Sequence, residues 1–137
     1  MLRKYKLCRY CKVKGVVKIR IYKIYSQCQM GFEGDIEYKK SINTATQYFN
    51  NLIRKTLKEV EVVDKDDFSD SIAEFRENIE NWHTDCEIIC RKYPILIYKD
   101  KNETIAVIDY WSKTSYEYNE YDIESEQIIL EEINIVD

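Results

Sequence analysis

The segment from Phe68 to Tyr93 constrains this chain more than any other. Phe68, Ile72, Phe75, Ile79, Trp82, Cys86, Ile89 and Tyr93 follow one another at alternating steps of four and three. That spacing places one apolar stripe along a helix and obliges another surface to cover it. It predicts a single long amphipathic helix. The start lies in the acid- and serine-rich DKDDFSDS, where Asp residues suit the positive end of the helix dipole. The end lies at Arg91 and Lys92, cations at the negative end, and Pro94, which pushes the preceding residue out of helical geometry.

The surface that covers such a stripe must come from the rest of the chain, and most of it reads as strand. In VVKIRIYKIY, Val17, Ile19 and Ile21 alternate with Lys18, Arg20 and Tyr22, the period of a half-buried strand. QMGFEGD holds two of the three glycines and marks a turn or exposed loop. Ser41 precedes Ile42, Ala45, Phe49, Leu52, Ile53 and Val60, a second helix capped by Ser41 or a neighbouring Asn or Thr. PILIYKDKNETIAVIDYW reads as a β-hairpin turning at DKNE. SKTSYEYNEYD reads as a further strand or an ordered loop. The closing IESEQIILEEINIV is open between strand and short helix, because its β-branched and Glu contents pull opposite ways. The expected fold is therefore α+β: one domain over residues 1–137, with a mainly antiparallel sheet and both helices packed on one face.

Charge is distributed unevenly. Residues 1–32 carry nine Lys or Arg and no acid, so the remainder holds twelve basic and twenty-five acidic groups, a balance of −13. No basic residue follows Lys113, while Glu117, Glu120, Asp122, Glu124, Glu126, Glu131, Glu132 and Asp137 do. The first strand and the last segment are electrostatic complements, and as neighbours in a sheet they would neutralise each other. Apolar residues at 45% and charged ones at 34% suit a folded soluble protein. With no long apolar run, the expected compartment is cytoplasmic, and five cysteines, an odd number, are expected to be reduced.

Each candidate chemistry has an ordinary alternative. Cys8 and Cys11 form a C-x2-C, and Cys86 and Cys90 a C-x3-C beside His83, which together could complete a tetrahedral zinc site. Cys86, however, falls on the apolar stripe as a small core residue. Asp35, Glu37 and Lys39 resemble the acid and lysine pattern of metal-dependent nucleases, but no acid precedes Glu33 to complete it. The basic N-terminus with Tyr5, Tyr10, Tyr22 and Tyr25 could hold single-stranded nucleic acid, against which stands a pI near 5.2. A lone histidine and three scattered glycines provide neither a triad nor a phosphate cradle. No cofactor, metal or catalytic residue is expected.

The segment from Asp109 to Asp122 is the densest mixture of aromatics and acids in the chain. Tyr116, Glu117, Tyr118, Glu120, Tyr121 and Asp122 are the candidate partner-binding residues, since Tyr carries interface energy and acids steer a basic partner. Tyr110 or Trp111 is expected to belong to the core. The favoured reading is a small acidic inhibitor of a basic, nucleic-acid-processing protein, either an immunity protein or an anti-defence, anti-CRISPR-like protein of a mobile element. The alternative is a nucleic-acid- or zinc-binding module built on the N-terminal segment.

Overall fold

The computed structural model describes residues 18–82 and 86–136. Eight elements follow in order: β1 (Lys18–Cys28), β2 (Glu33–Lys39), α1 (Ile42–Glu59), α2 (Lys65–Trp82), β3 (Glu87–Lys92), β4 (Ile95–Asp100), β5 (Glu103–Ser115) and β6 (Glu120–Val136). All six strands join one sheet in the order β2-β1-β6-β5-β4-β3, and every neighbouring pair is antiparallel. The class is α+β, as expected. No helix among the described residues is long and apolar enough to cross a membrane.

The expected pairing of the basic first strand with the acidic last segment is present. β6 is a strand and runs against β1 from Lys18↔Val136 to Cys28↔Glu126. Arg20 Nε lies 3.2 Å from a carboxylate oxygen of Glu132, and Lys23 Nζ lies 2.9 Å from Glu33 across β2. Lys23 is also opposite Glu131. The Glu33 hydrogen bond holds the Lys23 ammonium above its ordinary pKa. β2 is a strand that the sequence alone does not assign. It forms as an edge strand with a bulge between Ile24 and Ser26 of its partner and with Asp35 at a positive φ of 52°. Polar residues and bulges are common at sheet edges, where no second neighbour must be satisfied.

α1 starts where Ser41 accepts hydrogen bonds from the backbone N–H groups of Asn43 and Thr44. The stripe Ala45, Phe49, Leu52, Ile53 and Thr56 is buried against the sheet. α2 starts at Asp64, whose carboxylate accepts from the N–H groups of Asp66 and Asp67. It ends at Trp82, and the expected continuation to Tyr93 is corrected: Glu87–Lys92 is a strand, paired with β4 from Glu87↔Lys99 to Lys92↔Ile95. Pro94 sits in the β3–β4 turn, after a cis Tyr93–Pro94 bond, and terminates no helix. The four-three stripe persists by coincidence through Cys86, Ile89 and Tyr93. In the strand, Ile88 packs against the α2-side core while Ile89 is 55% exposed. With Ile88 and Ile89 at its centre and a strand of equal length to face, this six-residue run pairs with β4 in place of a further helical turn.

The helices lie on opposite faces of the sheet, which corrects the one-face expectation. In-register partners share a face, and successive residues alternate. α1 packs on Tyr22, Ile24, Ala106, Ile108, Ile128 and Leu130; α2 packs on Tyr25, Leu96, Tyr98, Ile105 and Ile129. The chain crosses from one face to the other where β4 stops short. There Glu61–Val63 runs extended beside β5, with Trp111 N–H donating to Glu61 O at 2.8 Å and Val63 N–H to Asp109 O at 3.1 Å. Consecutive side chains then enter different cores: Val62 joins the α1 side and Val63, 1% exposed, the α2 side.

Candidate functional site

β4 pairs only with Glu103–Ile108 of β5, and β1 reaches only to Glu126 of β6. Beyond those points, among the described residues, the β5–β6 hairpin continues without a further strand neighbour, apart from the short crossing segment beside Asp109–Trp111. It is a two-stranded ribbon whose last five paired residues on β5 span roughly 17 Å. A four-residue turn, Tyr116–Asn119, closes it. Asn119 takes the left-handed conformation (φ 56°) that this residue type tolerates well, and Ser115 Oγ accepts from Tyr118 N–H at 3.1 Å.

All six candidate partner-binding residues fall on this distal hairpin. Tyr116, Tyr118 and Tyr121 are 84%, 70% and 50% exposed, so none is a core ring. Tyr110 and Trp111 behave differently, as expected of at least one of them. Both are half-buried: Trp111 packs against the α2-side core, and Tyr110 donates its hydroxyl proton to Glu124 at 3.3 Å. Burial first, and then Glu124, raises the Tyr110 pKa above the ordinary phenol value.

Strand register divides the ribbon chemically. The pairs Trp111↔Ile123 and Lys113↔Tyr121 share the α2-side face, whereas Ser112↔Asp122 and Tyr110↔Glu124 share the α1-side face. Glu120, Asp122, Glu124 and Glu126 therefore make an acidic row at about 7 Å intervals on one face. Aromatic and aliphatic groups line the other. At the inner end of the row, burial and then Asp35 raise the pKa of Glu126. Two contributors went unnoticed in the sequence. Ile123 is 37% exposed between Trp111 and Tyr121. Lys113 lies with its ammonium 5.0 Å from the Tyr116 ring centroid and 5.6 Å from that of Tyr121. Its place as the last basic residue, amid aromatics, was the available signal.

The zinc candidates do not assemble among the described residues. Cys8, Cys11 and His83 lie outside them. Cys86 and Cys90 are free thiols on an extended segment, where a C-x3-C separates its ends by roughly 13 Å. Among the described residues, no three His, Cys, Asp or Glu side chains converge as a metal site. Asp35 of the nuclease-like triplet is instead held by Lys55 at 3.3 Å and Ser26 at 3.4 Å. Trp82, expected in the core, ends α2 with its side chain outside the described set.

A second acidic group lies at the other end of the α2-side face. Asp100, Glu103 and Glu131 are successive cross-strand partners. Burial, reinforced by Glu131 and Asp100, raises the Glu103 pKa. Between α2 and the sheet, Phe68, Ile72, Phe75 and Tyr98 line a cleft of about 260 Å3 that ends at Asp109, Ser125 and Gln127. No protein-family model matches the chain, and no curated protein or solved structure is significantly similar to it.

Proposed function

We propose that this chain is a small protein-binding inhibitor that neutralises a basic, nucleic-acid-processing partner through its β5–β6 hairpin. The immunity or anti-defence setting belongs to the same reading. The observation that carries it is the distal ribbon, where Tyr116, Tyr118 and Tyr121 are exposed and a row of acids lines one face of an arm that runs past the ends of β4 and β1. Exposing three large rings at the end of a ribbon does nothing for the core, while rings of this type anchor protein interfaces. A projecting ribbon also suits a recessed, basic surface such as a nucleic-acid-binding cleft, and the acids would raise the association rate. Arg20 and Lys23 are matched by acids of the same sheet, which leaves those two cations little to offer a phosphate backbone.

The test is affinity capture from the native host with the intact protein and with the Glu117→Lys, Glu120→Lys, Asp122→Lys triple variant. The intact protein should retain a basic partner. The variant should associate at least tenfold more slowly at low salt, with a flatter salt dependence, and melt within a degree or two of the parent. Equal capture by both proteins would remove the hairpin from the reading.

A further inference from the structure

Lys113 is the only basic residue of the distal hairpin, and its ammonium lies against two exposed rings, within the range of a cation–π contact for each. Tyr116 comes from the turn and Tyr121 from β6, so strand pairing brings together two rings that are separated in sequence. Glu117 and Glu120 are sequence neighbours of these rings and add negative potential, and neither ring is used by the core. We propose that Tyr116 and Tyr121 form a receptor for an arginine side chain of the partner, and that Lys113 occupies it in the free protein. This deepens the inhibitor reading and rests on it.

The choice of arginine follows from the chemistry of exchange. A guanidinium is planar, weakly hydrated and able to stack on an aromatic face, whereas an ammonium is a compact and strongly hydrated point charge. An incoming arginine can therefore displace a lysine from a pair of rings, and the displaced Lys113 returns to water at little cost. Its occupancy in the free protein shields the rings from unrelated cations. A partner that presents arginine among other cations can satisfy the receptor on one face of the ribbon and the acidic row on the other.

The probe is N-acetyl-arginine amide, with the neutral isostere N-acetyl-citrulline amide as control, titrated into the full chain while the Tyr116 and Tyr121 ring resonances are followed by NMR. Arginine amide should shift both rings, and citrulline amide should not. Lys113→Met and Lys113→Gln should each tighten arginine binding roughly three- to tenfold by removing the internal competitor, and Tyr116→Leu with Tyr121→Leu should weaken it roughly tenfold. Lys101→Met, which removes a charge from the β4–β5 turn, should leave it unchanged. Arginine and citrulline acting alike, or unchanged affinity in both Lys113 variants with a lowered melting temperature, would make Lys113 a structural staple and overturn the proposal. Partner capture that survives either result would keep the hairpin as the binding element while rejecting the receptor.

Discussion

Two helices of eighteen residues each lie on opposite faces of one sheet and are held very differently. α1 buries Ala45, Phe49, Leu52, Ile53 and Thr56 against inward residues of which Ile24, Ala106, Ile108 and Ile128 are wholly buried. α2 buries only Phe68 to that degree; Ile72, Phe75 and Ile79 remain half-exposed, and a cleft opens beneath Ile72 and Phe75. Helix length does not separate the two, so the sheet face must. Under α1 the inward positions are aliphatic apart from Tyr22. Under the later turns of α2 they become Asp109, Ser125 and Gln127, which give an apolar stripe little to bury against. Stability is thus concentrated on one face, and looseness on the face that continues into the aromatic side of the ribbon.

The sharpest way to break this contrast is a matched pair of truncations. Phe49→Ala, in the closed face, should cost about 3 to 5 kcal/mol by chemical denaturation, the range for a buried aromatic. Phe75→Ala removes a half-buried ring whose centroid is 4.6 Å from that of Tyr98, and should cost only about 1 to 2 kcal/mol. Hydrogen exchange should likewise release the α2 amides before those of α1. Equal costs, or equal protection, would mean that α2 is as integral to the fold as α1.

The smallest expected effect concerns the like charges on the looser face. The folded-state pKa of Glu103 is raised above its ordinary value of 4.5, so between that value and the raised one the folded state binds the proton more tightly. Its contribution to stability is greatest below that window and falls as pH rises through it. Glu103→Gln should therefore raise the melting temperature by a degree or so at pH 7 and leave it nearly unchanged at pH 4, on the order of a few tenths of a kcal/mol. A loss of stability at pH 7 would show that Glu103 has a favourable partner.

The legible parts of this fold were those set by local chemistry. Ser41 announces a helix because its hydroxyl can satisfy the first N–H groups, and DKNE announces a turn because polar residues separate two apolar runs. The pairing of β1 with β6 was also readable, from opposite charge. The end of α2 was hidden because Cys86, Ile89 and Tyr93 extend the helical period by coincidence, while β3 turns Ile88 to the core and leaves Ile89 exposed. The placement of α2 depends on β4 being shorter than β5, which no residue near α2 encodes. At the candidate site, Tyr116 to Asp122 were found because they are contiguous. Their division between two faces, and the position of Lys113 between two rings, follow only from the register with β5.

The order of the sheet has a consequence for biosynthesis. Among the described residues, β6, the last of the six strands, sits in the interior of the sheet and is the sole link between the β1–β2 hairpin and the β5-β4-β3 meander. It also supplies Ile128 and Leu130 to the α1 core and Ile129 to the α2 core. Until that strand leaves the ribosome, Phe49, Leu52 and Ile53 lack much of the surface that covers them, and the early hairpin must wait for a partner separated from it by most of the chain. Such distant pairing slows folding and prolongs the exposure of apolar side chains. The nascent polypeptide is therefore more exposed to proteases, and more dependent on chaperones, until β6 has emerged.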